Sequence, residues 1–346
     1  MAVKNKNKYL QLCFLPYISI NEDIKYGNIL FWSFEKNKDN YLSDIAVKDH
    51  ISKLFERYFK KFEEEPLENI TIVSYKSPDN FEPLSSKQLD YIYDAATVLG
   101  FTTIIRNKKF LAFPSDNFNL KIQNFVPGNY VIAISYGSVI METDGGYDLE
   151  RIKFYTPFHI ILNSFIDYDK QLFNSVKKLK RIKNERELYR KIMTSLKWVS
   201  YAYTNVENFS PFSRVVMMST AFEILLDGFK NRWKFIEKIS YYTSEKEDSN
   251  KNNREIRNIY YKRQSIVPKE YSFKEWWAYE FYCLRNNIVH GKEVKYSELN
   301  NRKNENYFLL SIMFFTECLK RILHEKKCYK YDIPDEILWA GINEKL

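Results

Sequence analysis

The strongest constraint on this chain is a change of hydrophobic period near Asp167. Before it, short runs of β-branched and aromatic residues, many bounded by Asn, Asp, Pro or Gly, mark strands at Tyr9–Leu15, Ile29–Phe34, Asn69–Tyr75, Phe101–Arg106, Asn117–Phe125 and Tyr130–Met141. Two helices are expected among them. One, about Asp44–Phe62, puts Val47, Ile51, Leu54, Phe55, Tyr58, Phe59 and Phe62 on a single face; the other, about Ser86–Leu99, ends at Gly100, which reads as its C′ residue.

After Asp167 the alternation stops and apolar residues recur at helical spacing. Leu188, Ile192, Ser195, Val199, Ala202 and Val206 define one long helix. Ser210 and Pro211 form an N-cap and N1 pair for a second, running to about Phe229. A short helix at about Arg232–Tyr242 follows, then a charged stretch, Ser244–Arg263, expected as an exposed loop or surface helix. Phe273, Trp276, Trp277, Phe281, Leu284 and Ile288 mark the next helix, and about Lys303–Glu325 the last. Two periods in series imply an α+β chain: a mixed α/β domain over 1–166, an all-α antiparallel bundle of four principal helices over 167–330, and a tail over 331–346. With 346 residues there is enough chain for two ordinary cores.

Charge divides along the same line. Residues 171–346 hold 33 Lys and Arg against 22 Asp and Glu, whereas the preceding residues hold 20 against 22. The helical half therefore suits a polyanion, nucleic acid ahead of anionic membrane, unless its lysines only solvate the surface. No run reaches the roughly 18 apolar residues of a membrane span, and no apolar segment follows the basic start, so a soluble cytoplasmic protein is expected. The four cysteines, Cys13, Cys283, Cys318 and Cys328, form no C-x-x-C pair and read as reduced structural thiols. His324 and Cys328, four apart, are an incomplete metal-ligand pair, and neither a metal nor a cofactor is expected. Asp144-Gly145-Gly146 lacks the Gly-Lys-Ser/Thr of a phosphate loop and reads as a turn.

Chemistry concentrates in Arg285-Asn286-Asn287-Ile288-Val289-His290-Gly291. Histidine gives or takes a proton near neutral pH, and arginine is a permanent cation whose fork matches phosphate. Five helical positions differ by about 140° and 7.5 Å of rise, so the two side chains diverge unless the helix ends at His290. Gly291 as a left-handed C′ residue would end it there, with Asn286 free to orient a phosphate or the imidazole. The alternative is that both cations merely complement the helix C-terminus. Glu223 falls on the apolar arc of Phe212, Val215, Val216, Ser219, Phe222 and Leu226, where a carboxylate needs a partner; Glu280 lies similarly beside Trp276, Trp277 and Leu284, as half of a structural ion pair. The spacing of Trp233, Trp276 and Trp277 places them in the core rather than on a base-stacking surface.

Leu284–Gly291, preceded by the helix Ala221–Leu226, resembles the HEPN domains of prokaryotic defence and toxin systems, most closely the ApeA-like branch, over roughly residues 170–330. The resemblance implies an HEPN-like helical bundle acting as a metal-independent RNA endonuclease, with Arg285 and His290 catalytic and Asn286 and Glu223 supporting, the latter by holding Arg285. It also implies a homodimer that brings two such motifs to one cleft, since one His and one Arg are half of the groups that RNA cleavage needs. The first half would then sense an infection signal or restrain the nuclease, with RNA and a phage-derived or antitoxin protein as partners. A non-catalytic scaffold that dimerises or binds RNA, and a toxin governed by a nucleotidyltransferase antitoxin, are the competing expectations.

Overall fold

The computed structural model describes residues 9–60, 65–106, 114–126, 129–136, 139–140, 147–148, 153–156, 165–204, 209–229, 231–243, 255–261, 265–300 and 306–331. Asp144-Gly145-Gly146, most of the stretch 244–263 and all but the first residue of the expected tail lie outside them. The chain is α+β and divides into two compact units, residues 1–169 with 203–206, and residues 170–202 with 207–346.

The first unit is built on one antiparallel sheet. Its strands are β1 (Leu10–Leu15), β2 (Ile24–Tyr26), β3 (Ile29–Ser33), β5 (Thr71–Tyr75), β6 (Lys121–Val126), β7 (Asn129–Tyr136) and β8 (Val139–Ile140), ordered β2-β3-β5-β1-β6-β7-β8. A further strand, β9 (Tyr147–Asp148), pairs with β7. Registers such as Phe14 opposite Ile72 and Trp32 opposite Ile72 put Leu12, Phe14, Trp32, Ile72 and Phe125 in one core. Helices α1 (Phe34–Tyr41) and α2 (Ile45–Phe55) contribute Phe34, Val47, Ile51, Leu54 and Phe55 to that core. Helix α3 (Ser86–Arg106) contacts β3 and β5. Burial on both faces explains why β3 reads as an unbroken apolar run rather than as an alternation.

Three expectations for this unit are corrected. Phe101–Arg106 is not a strand but the end of α3. Thr102 and Thr103 donate their hydroxyls to the carbonyls of Val98 and Leu99, both at 2.8 Å, so these β-branched residues are satisfied by their own helix. Gly100 is therefore no C′ residue; it is buried mid-helix, where an added Cβ would lie 2.9 Å from Cγ of Phe118 in the 3₁₀ turn Ser115–Phe118. The helix expected over Asp44–Phe62 stops at Phe55, capped by Asp44. Tyr58 and Phe59 form β4, a two-residue strand parallel to β10 (Phe154–Tyr155), and Tyr58 still reaches the core that made it look helical.

The second unit contains α4 (Lys170–Leu179), α5 (Arg186–Ala202), α6 (Pro211–Leu225), α7 (Arg232–Thr243), α8 (Phe273–Val289) and α9 (Tyr307–Glu325). It is not all-α: β11 (Glu255–Tyr261), within the stretch expected to be loop or surface helix, and β12 (Ser265–Tyr271), just after it, form a seven-pair hairpin. Ile256, Ile259, Tyr260 and Tyr261 supply the β-branched and aromatic residues that favour a strand, without a clean alternation and among flanking charges that obscured them. The expected four principal helices also left out α4, whose Leu172, Phe173, Val176 and Leu179 are buried.

The bundle core is aromatic. Phe222 of α6 has Phe235, Trp277, Phe281 and Phe315 around it at centroid distances of 5.5–6.2 Å. Trp276 and Trp277 are buried, while Trp233 is half-buried under the Arg232 guanidinium, 4.6 Å from its ring centroid. Phe222 lies beside Trp277 and Phe281, whereas Phe212, at the start of α6, meets Tyr296 beyond the end of α8 at 5.1 Å. Helices α6 and α8 are therefore antiparallel. Tyr307, at the start of α9, bonds Glu280 midway along α8, and Phe314, two turns on, packs against Trp277 nearer the start of α8, so α9 is antiparallel to α8 as well.

Candidate active site at the end of helix α8

Both ends of α8 are fixed by local chemistry. Ser272 and Glu275 form a capping box: the Ser272 backbone N–H donates to Glu275 Oε2 at 2.8 Å, and Ser272 Oγ accepts from the Glu275 N–H at 3.4 Å. At the other end His290 is the C-cap residue and Gly291 is left-handed at φ 66°. The Gly291 N–H reaches the Ile288 carbonyl at 3.1 Å and the Lys292 N–H reaches that of Asn287 at 2.9 Å, which is the Schellman pairing. The sequence expectation for Gly291 and the helix end is therefore observed.

Arg285 and His290 stand in different surroundings. Arg285 is half-buried, and its Nη1 donates to Oδ1 of Asn286 at 2.9 Å; its Nε is buried with no hydrogen-bond acceptor. A guanidinium in that state keeps donors available for an incoming anion, and desolvation strengthens whatever charge it meets. His290 is exposed, and its imidazole makes no hydrogen bond or ion pair among the described residues. No bond joins the two side chains. Asn286 thus holds the arginine and not the histidine. Arg285 lies one turn before the negative end of the α8 dipole and His290 at its C-cap.

Glu223 does not hold Arg285 within one chain. It is half-buried in α6 and makes no side-chain hydrogen bond or ion pair among the described residues. The antiparallel packing explains this: its neighbour Phe222 lies level with Trp277 and Phe281, one to two turns before Arg285. Glu280 is not half of a salt bridge with Arg285 either; its Oε2 accepts the Tyr307 hydroxyl at 2.5 Å.

The residue that packing brings toward this end of the bundle is Arg214, in the first turn of α6. It is half-buried, with its guanidinium 5.8 Å from the centroid of Phe308 at the start of α9. An arginine set among Phe212, Val215 and Val216 was a readable anomaly, but only the antiparallel pairing of α6 with α8 puts it at the same end as Arg285. The loop after His290 carries Lys292 and Lys295 against Glu293 and Glu298, all four exposed, so it adds no net charge.

His324 Nδ1 lies 3.1 Å from the Tyr329 carbonyl, and Cys328 Sγ is 3.6 Å from that of Lys326, so this pair is engaged with backbone. Among the described residues no group of three or more His, Cys, Asp or Glu is arranged to hold a metal ion. None of their helices is long and apolar enough to cross a membrane. The site is thus a half-buried arginine held by Asn286 and an exposed histidine near the end of α8, with Arg214 in the first turn of the antiparallel α6. No protein-family model, curated protein or solved structure matches the chain.

Proposed function

We propose that the protein is a metal-independent RNA endonuclease of a prokaryotic antiviral or toxin system, acting in the cytoplasm through Arg285 and His290 as a two-fold dimer. The observation that carries this reading is the Arg285–Asn286 pair with its buried, unpartnered Nε, five residues before a histidine exposed at a capped helix end. The ApeA-like arrangement of Leu284–Gly291 after Ala221–Leu226 supports it.

The chemistry needs no external group. A base removes the proton of the RNA 2′-OH, the 2′-oxygen attacks phosphorus, and the bond to the 5′-oxygen breaks as an acid returns a proton to it, leaving a 2′,3′-cyclic phosphate and a 5′-hydroxyl. One imidazole serves as base or as acid at one moment, so His290 and its copy in a second chain divide the two tasks. Arg285 meets the charge that builds on the phosphorane. Glu223, remote from Arg285 within the chain, is left to support the fold of α6 or to act across the dimer.

Incubation of the purified protein with labelled RNA in EDTA tests this. Cleavage that persists in EDTA and is lost in His290→Ala and in Arg285→Ala is the expected result. Growth arrest on expression, relieved by His290→Ala, extends the test to a nuclease restrained by its first unit. Wild type and mutant proving equally inert in both assays, with and without phage challenge, would favour a non-catalytic RNA-binding or dimerising scaffold.

A further inference from the structure

Away from the end of α8, residues 177–191 hold eight Lys and Arg against two carboxylates. Both carboxylates are engaged, Glu185 by Lys326 at 2.8 Å and Glu187 by Lys191 at 3.6 Å. Arg181, Lys183, Arg186 and Arg190 are exposed, and among the described residues none of them forms an ion pair. Crowding of like charge is felt locally: burial first, and then Arg181, push the Lys177 ammonium below its ordinary pKa. Arg186 and Arg190 are an i,i+4 like-charge pair, an arrangement that disfavours the helix and that a merely solvated face does not require.

The exposed face of α5 continues this charge into aromatic surface. At 100° per residue, Arg186, Arg190 and Tyr201 fall within a 60° arc and Trp198 within a further 60°, while Ile192, Leu196 and Val199 are buried on the other side. Tyr201 is 55% exposed, and its ring meets that of Trp198 edge-on at 5.9 Å. Tyr201 lies about 22 Å along the helix from Arg186. Unneutralised cations thus lead into an exposed ring, Tyr201, and a half-buried one, Trp198, along one stripe.

We propose that the α4–α5 turn and the exposed face of α5 form a binding track for single-stranded RNA, with Arg181, Lys183, Arg186 and Arg190 on phosphates and Trp198 and Tyr201 stacking on bases. Cations alone would suit a duplex or an anionic membrane equally well; accessible rings in line with them favour unpaired bases. The track is separate from the Arg285–His290 site, and it stands whether or not that site cleaves RNA.

The test is fluorescence anisotropy of a labelled 20-nucleotide oligoadenylate RNA with the full chain carrying His290→Ala, titrated over a range of salt. Replacing Arg186 and Arg190 by Gln is expected to weaken binding about tenfold and to lower the slope of log affinity against log salt by about 1.4, at roughly 0.7 per lost single-strand contact. Tyr201→Ala is expected to weaken binding about fivefold at unchanged slope. Arg186→Lys with Arg190→Lys should keep most of the slope, and unchanged melting temperatures would show that the variants are folded. Absence of RNA binding at low salt overturns the proposal, as does binding indifferent to the arginine pair. Binding that ignores Tyr201 and Trp198, and that duplex RNA or phosphatidylserine vesicles match, overturns it in favour of an unspecific polyanion surface. Loss of cleavage in the EDTA assay with RNA binding intact counts against the nuclease reading alone.

Discussion

The Arg285 guanidinium is tied by Nη1 to Oδ1 of Asn286 at 2.9 Å, while its Nε is buried without an acceptor. The neighbouring amide thus orients an arginine that still has donors to give. Asn286→Ala removes the tether and not the charge, so the proposed RNA cleavage is expected to fall about tenfold, the worth of a hydrogen bond to a charged group. Arg285→Lys keeps the charge but loses the fork, and a fall of about a hundredfold is expected. Single-turnover rates with intact melting temperatures check both.

The two glycines with special positions should respond differently. At Gly291 a Cβ meets nothing within 4 Å, but φ is 66°, so Gly291→Ala is expected to cost about 1–2 kcal/mol through backbone strain. At Gly100 the backbone is helical, and alanine would gain about 1 kcal/mol of propensity if the site were open. The Phe118 ring root 2.9 Å away reverses that, and Gly100→Ala is expected to destabilise by about 1–3 kcal/mol. A double-mutant cycle with Phe118→Ala, which removes that Cγ, should show coupling to Gly100→Ala and none to Gly291→Ala, as read by denaturant midpoints.

His50 gives the first unit a pH dependence. It is buried in α2 and stacked on Phe125 at a centroid distance of 4.5 Å, and desolvation pushes its pKa down from 6.5 to about 4. Between those values the unfolded chain binds a proton that the folded one does not, so stability rises with pH across this window and is lost as pH falls from 6.5 toward 4. The full effect has a ceiling of about 3 kcal/mol. Equilibrium unfolding of His50→Leu should show a flatter profile between pH 4 and 6.5; an unchanged slope would remove His50 as its source.

Thr204, in the connection from α5 to α6, belongs to the first unit and donates its hydroxyl to Oδ1 of Asp116 at 2.5 Å in a buried setting. Thr204→Val keeps the shape and withdraws a donor from a buried carboxylate. A loss of about 1–3 kcal/mol is expected, with a double-mutant cycle against Asp116→Asn showing strong non-additivity.

Local signals in the sequence were reliable where the physics is local. The Ser210–Pro211 start of α6 and the Gly291 stop of α8 depend on atoms within about four residues, and both stand as read. The Gly100 reading failed because the reason for that glycine lies in Phe118, 18 positions away and brought there by folding. Likewise Phe101–Arg106 has strand-like residues whose hydroxyls found acceptors inside a helix, and the hairpin of β11 and β12 was hidden by charge.

For the candidate site the division is similar. The chemistry available at residues 285–291 and the point where the helix stops are legible in the local residues, because capping and backbone sterics are short-range. Which groups share that end of the bundle depended on how the helices pack. Antiparallel packing set Glu223 level with Phe281 and brought Arg214 toward Arg285, since the neighbour of a helical residue is fixed by the direction and register of the opposing helix, and neither is written within either helix alone.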